Sequence, residues 1–180
     1  MNNNKNLPDY NLPDYNKKKW KKIYNNNSLY KHNCYAYALN QYNDLNITNY
    51  KPQMGNFGYP NKIKTRSLKS CNDLKHRVLI DNPHIYSIYY NQKCKKNYYK
   101  TYLFIAPNKD YHWYRQDKNG LYSHKPGITE ITDKNISHKI ITNPLLANRT
   151  RITTDYDNDV TDYTMACDAF CVPNNDTYVE

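Results

Sequence analysis

Tyr98-Tyr99-Lys100-Thr101-Tyr102-Leu103-Phe104-Ile105-Ala106, followed by Tyr111-His112-Trp113-Tyr114-Arg115-Gln116 and by Gly120-Leu121-Tyr122-Ser123-His124-Lys125, is rich in aromatic and branched residues and broken by polar turns. Crowding of Tyr, Phe and Ile at an extended rather than a helical period predicts strands. Asp117-Lys118-Asn119-Gly120 carries the Asn-Gly pair that accepts the positive φ of a tight turn, so the second and third pieces form an antiparallel hairpin. Upstream, His84–Tyr90 reads as another strand, joined through the polar connector Gln92-Lys93-Cys94-Lys95-Lys96-Asn97. Downstream, Ile128–Thr132 and Tyr163–Cys171 are candidate strands, with Asp155-Tyr156-Asp157-Asn158-Asp159 a surface loop between them.

A helical period precedes the strands. Asn33 is a candidate N-cap for a helix over 34–42, where Ala36, Ala38 and Leu39 supply the packing face. Residues 51–64 contain two Gly and two Pro and read as a loop. Leu68, Cys71, Leu74 and Val78 keep a 3–4 residue spacing across a second helix over 67–80, which Asn82-Pro83 ends. Helices followed by an antiparallel sheet predict an α+β fold, the N-terminal helices packed on the sheet.

The 180 residues suffice for one domain, and with 21 Tyr in an apolar fraction of 38% the core must be largely phenolic. The longest apolar run, Tyr102–Ala106, is far short of the ~20 residues that span a bilayer, and Met1-Asn2-Asn3-Asn4-Lys5 begins no apolar leader. Neither a membrane span nor a standard secretory signal is expected. Asn6-Leu7-Pro8-Asp9-Tyr10 repeats at once as Asn11-Leu12-Pro13-Asp14-Tyr15, and residues 1–22 read as a disordered tail ahead of one domain over 23–180.

Charge is uneven: residues 1–100 hold 18 Lys/Arg against 5 Asp, within a chain of net charge +10. Lys17, Lys18, Lys19, Lys21 and Lys22 surround Trp20, a pattern able to hold an acidic or nucleic-acid partner, with a solvated arm as the competing reading. Lys outnumbers Arg 21 to 5, the reverse of a bidentate base reader. Four Gly leave no phosphate-cradling loop, and two Glu argue against a glycosidase pair. Cys34, Cys71, Cys94, Cys167 and Cys171 are an odd set, read as reduced thiols in the cytoplasm or another reducing compartment.

Cys34 stands in the first turn of a helix, where free N–H groups favour a thiolate, and a thiol nucleophile needs an imidazole beside it. His112 opens one strand of the hairpin and His124 closes its partner. A tight turn leaves the two within one position of facing each other, and a bulged or longer loop puts them on one face, so that His124 orients His112 as base for Cys34. Asn33, Tyr35 and Trp113 adjoin these residues and are the candidate substrate contacts, with core packing the alternative for Trp113. The same Cys34, His112 and His124 could instead supply three zinc ligands.

Asn33-Cys34-Tyr35-Ala36-Tyr37-Ala38, His112-Trp113-Tyr114-Arg115 and Tyr122-Ser123-His124 together resemble the Cys-His-His pattern of the NlpC/P60 peptidases, a small papain-like fold. The order and the 12-residue His spacing agree. Asn33 stands where that family has Asp, Tyr35 where it has a small Ser, the Gly after the strand His is missing, and 78 residues separate Cys34 from His112. Tyr111–Arg115 and Ser123-His124-Lys125-Pro126-Gly127 are also similar to strings in proteins without an assigned activity. The resemblance implies a thiol-dependent hydrolase or transferase acting on an amide or ester bond, with Cys34, His112 and His124 as a triad and no cofactor. The alternative is a noncatalytic binding or particle-associated protein of the same fold, its basic tail holding an acidic or nucleic-acid partner.

Overall fold

Phe104 lies opposite His112 and Leu103 opposite Trp113 where β2 (Tyr98–Ala106) pairs antiparallel with β3 (Asp110–Gln116). The computed structural model describes residues 12–24, 32–42, 51–58, 70–153, 159–175 and 177–179. The free edge of β2 takes β7 (Met165–Pro173), β1 (Tyr86–Ile88) adds beyond β7, and the two-residue β4 (Tyr122–Ser123) adds to β3. The order is β1-β7-β2-β3-β4, antiparallel throughout, and β5 (Thr150–Thr153) pairs β6 (Asp159–Asp162) in a separate ribbon. Of the segment expected as a strand over 128–132, only Thr132 makes a bridge, to His124. The acidic stretch at 155–159 lies outside the described residues apart from Asp159, which begins β6.

Period-two alternation sends β2 side chains to two cores. Tyr99, Leu103 and Ile105 join Tyr111, Trp113, Phe170 and Val172 on one face, together with residues of the helices α2 (Cys34–Ala38) and α3 (Cys71–Asp81). Tyr102, Phe104 and Ala106 pack on the other with Tyr114, Tyr122, Ile141 and Tyr163. Burial on both faces explains why β2 reads as an unbroken aromatic run. The fold is thus α+β with an antiparallel sheet.

α2 is shorter than expected. It closes in a Schellman motif, Gln41 N–H donating to Ala36 O at 2.9 Å and Asn40 N–H to Tyr37 O at 3.0 Å, with Asn40 at φ 54°. Asn at the left-handed position is the stop signal, two residues ahead of the predicted end. α3 starts on Ser70, whose Oγ accepts from Asp73 N–H, and ends at Asn82.

Two expectations are corrected. The lysine run is not part of a featureless tail: it forms α1 (Lys17–Tyr24), and the Trp20 that those lysines surround is buried against Tyr37, Tyr42 and His32 with ring separations of 4.8–5.9 Å. One indole buries enough area to anchor a short helix whose Lys17, Lys18, Lys19 and Lys21 stay in water, and Asn16 Oδ1 caps it by accepting from Lys19 N–H. The cysteines are not five reduced thiols. Cys71 at the start of α3 is bridged to Cys167, and Cys94 before β2 to Cys171, so β7 is tied to both. The odd residue left over is Cys34, free and buried.

Candidate functional site

Asn33 builds the entry to α2. Its Oδ1 accepts from the N–H groups of Tyr35 and Ala36, each at 3.1 Å, and its Nδ2 donates to Pro52 O at 2.6 Å. An Asp could cap the helix but has no second hydrogen to hold the 51–58 loop, so the amide is suited to both tasks. That loop is pinned from below by the fully buried Asp81 carboxylate, which accepts from Gly55 N–H (2.6 Å), Gly58 N–H (2.8 Å) and Tyr35 Oη–H (3.1 Å). A Cβ on Gly58 would sit 2.1 Å from Ile80 Cγ2, so only glycine lets the loop approach α3.

Cys34 packs on the Trp113 face of the sheet, with the Trp113 backbone N–H directed at its sulfur. Burial, reinforced by the Asp110 carboxylate, pushes the thiol up to about 12, against the opposing pull of that N–H, Lys125 and Arg151. The sequence expectation of a thiolate is therefore reversed in the resting protein: a five-residue helix carries little dipole, and desolvation outweighs it.

The hairpin settles the histidine register. Arg115 pairs with Ser123 and Gln116 with Tyr122, and Asp117 N–H closes the loop onto Leu121 O at 2.8 Å with Gly120 at φ 84°. The connection spans residues 117–121, longer than a two-residue turn, which puts His124 beside Tyr114, rings stacked at 4.8 Å, on the same face as His112. His112 Nε2 and His124 Nδ1 are 2.7 Å apart, and His124 Nε2 is 3.1 Å from Lys134 O. A carbonyl can only accept, so Nε2 of His124 carries its hydrogen, Nδ1 of His124 accepts, and His112 donates through Nε2, leaving its own Nδ1 with a lone pair. Burial holds both rings neutral: His124 falls to about 4 and His112 well below the usual imidazole range, helped down by His124 and Arg151. His112 and His124, two of the three residues weighed as zinc ligands, are thus bonded to each other, and among the described residues no group of three or more His, Cys, Asp or Glu is placed for a metal ion.

His112 lies between Tyr114 and Tyr163, each at 5.1 Å. Cys34 is within electrostatic reach of both tyrosines, but among the described residues no hydrogen bond joins its thiol to either imidazole. The structure brings the two histidines together and sets the cysteine across β3 from them. Tyr35 and Trp113 are fully buried core rings, 5.8 Å apart, and Tyr35 Oη is occupied by Asp81 and Asn82. Neither ring has an exposed face here, and Asn33 is occupied as a cap.

Several residues escaped the sequence reading. Lys125 is fully buried, donates from Nζ to Gly127 O at 2.6 Å, and is brought down to about 7 by burial and by Lys51 and Arg151, with Cys34 opposing. Arg115 is also buried: its guanidinium lies over the Tyr37 ring at 4.0 Å, pairs with Asp117 at 2.7 Å, and donates to Asp14 O and Tyr37 Oη. For Lys125 the available signal was its place one residue past His124, on the opposite face of an extended strand.

No family profile matches the chain, and no solved structure matches it. Among curated proteins it is similar to insoluble matrix shell protein 1 of Ruditapes philippinarum, 45% identical over 47 residues. The match covers 26% of this chain and 32% of that protein, so it spans about a third of the relative's length.

Proposed function

We propose that the chain is a thiol-dependent hydrolase or transferase of amide or ester bonds, of the papain-like NlpC/P60 type, with Cys34 as nucleophile, His112 as base and His124 as its orienter. The observation that carries this reading is the directed relay Lys134 O, His124, His112, which leaves one unprotonated nitrogen on a buried strand imidazole. Attack of the Cys34 sulfur on the acyl carbon moves the thiol proton to His112 Nδ1; His112 then gives it to the departing amine or alcohol as the bond to the acyl carbon breaks, leaving a thioester for water or a second acceptor. With thiol and imidazole both neutral at rest, proton transfer accompanies attack rather than preceding it, and because Cys34 packs on the Trp113 face of β3 and His112 on the other, this reading requires the two to be brought to one side of the strand as substrate enters. The test is acylation by p-nitrophenyl acetate followed by peptide mass spectrometry. One acetyl group on Cys34, lost in His112→Ala with the fold intact, is the expected result; no adduct in wild type, or equal labelling in the variant, overturns the reading.

A second reading is favoured by the burial of Cys34, His112 and His124, all under a tenth exposed. In it the same fold is a noncatalytic binding protein, with the exposed Lys17, Lys18, Lys19 and Lys21 of α1 meeting an acidic partner; the side chain of Lys22 lies outside the described residues. Partial likeness to a shell matrix protein agrees with this reading. Under either, two disulfides support an oxidising compartment rather than the reducing one expected from the odd cysteine count. Among the described residues no helix is long and apolar enough to cross a membrane.

A further inference from the structure

Gly127 gathers two basic side chains. Its carbonyl accepts from Lys125 Nζ at 2.6 Å, and its missing Cβ makes room for Arg151: a Cβ there would stand 2.7 Å from Nη2 and 2.9 Å from Nη1. With φ at +55°, the residue is held in a conformation that glycine adopts freely, so the close seat of the guanidinium and the backbone turn require the same residue type. Arg151 arrives on β5, outside the main sheet, and is within electrostatic reach of Cys34, His112, His124 and Lys125. Lys51 adds a third positive charge near Lys125. The opposing carboxylate, Asp110, is engaged at Oδ2 by the Tyr163 hydroxyl at 2.8 Å. Among the described residues Arg151 forms neither an ion pair nor a side-chain hydrogen bond. Arg151 presents a planar guanidinium fork against Gly127, whose carbonyl also holds Lys125 Nζ, and a carboxylate fits such a fork through two parallel hydrogen bonds.

We infer that Lys125 and Arg151, seated on Gly127, form a carboxylate-binding pair beside Cys34, and that the substrate is an acyl compound carrying a carboxylate close to the bond that is attacked. This rests on the reading of Cys34 as nucleophile and names the substrate class of that site. It is tested by comparing iodoacetate with iodoacetamide, near-isosteric reagents that differ in charge, using peptide mass spectrometry to follow Cys34. The expected iodoacetate-to-iodoacetamide rate ratio is at least about tenfold above that of free glutathione in the same buffer, falling to the glutathione value in Arg151→Gln and Lys125→Met and in 0.5 M salt. A wild-type ratio equal to glutathione's overturns the carboxylate pair while leaving the nucleophile standing.

Thermal melts of the Cys34→Ala protein with glutarate and with its neutral diamide give a readout that does not pass through the thiol. If Cys34 reacts with neither reagent, an Arg151-dependent stabilisation by glutarate alone sustains the anion site and removes the nucleophile. Equal effects of the two additives remove both.

Discussion

His112 donates a hydrogen bond to His124 across 2.7 Å, and the donor is fixed from outside the pair by a backbone carbonyl, that of Lys134. The direction of the relay makes His124 an acceptor toward His112, a role an amide oxygen can also fill. His124→Asn should therefore keep acylation of Cys34 within about tenfold of wild type. His124→Ala, which leaves the Nε2–H of His112 buried without a partner, should lose 10²-fold or more. Acylation rates with p-nitrophenyl acetate separate the two, and equal losses would show that the ring serves packing rather than orientation.

The buried neutral imidazoles make the protein acid-labile. In the unfolded chain each His takes a proton near the ordinary imidazole value of about 6.5, whereas folded His124 resists until about 4 and His112 also lies well below the ordinary value. Between those limits the unfolded state binds more protons, so stability is full above about pH 6.5 and declines as pH falls toward 4, by up to about 1.4 kcal/mol per pH unit for each ring. Urea unfolding from pH 4.5 to 7.5 should show this slope, reduced in His124→Gln. A flat profile would mean that the rings are solvated.

Much of this was legible from residues whose local chemistry has one outcome. The bounds of β2 follow from a run buried on both faces, and the end of α3 from Asn82-Pro83. The same-face placement of His112 and His124 needed the loop length, which the Asn-Gly pair alone does not set. Trp20 was misread because a single ring among lysines has no periodic partner in sequence; its partners, Tyr37 and Ile131, are distant along the chain. Lys125 and Arg115 were passed over because burial of a cation depends on acceptors brought in by folding, here Gly127 O for one and Asp117 and Asp14 for the other.

Arg115 joins three parts of the fold: Asp14 before α1, Tyr37 and Asn40 around α2, and Asp117 in the hairpin loop. Its removal strands Asp117, a buried carboxylate already raised above the usual range by desolvation despite the guanidinium. Arg115→Met should lose about 3–5 kcal/mol by denaturant titration. Arg115→Met with Asp117→Asn should recover part of that, since the unpaired charge is gone. If the double variant is no more stable than the single, the loss lies in the Tyr37 stacking instead.

The cysteine pairing yields the simplest chemical count. Cys71–Cys167 and Cys94–Cys171 close loops with sequence separations of 96 and 77, and both end on β7, which lies between β1 and β2 in the main sheet. Protein produced under oxidising conditions and unfolded without reductant should take up one equivalent of maleimide, on Cys34, and five after reduction. Loops of this length commonly contribute about 2–5 kcal/mol each through restriction of the unfolded chain. Adding reductant should therefore lower the melting temperature of wild type clearly, while the Cys71→Ala, Cys94→Ala, Cys167→Ala, Cys171→Ala protein should be insensitive to it. Five equivalents without reduction would return the chain to a reducing compartment and leave β7 held by its strand pairing and core packing alone.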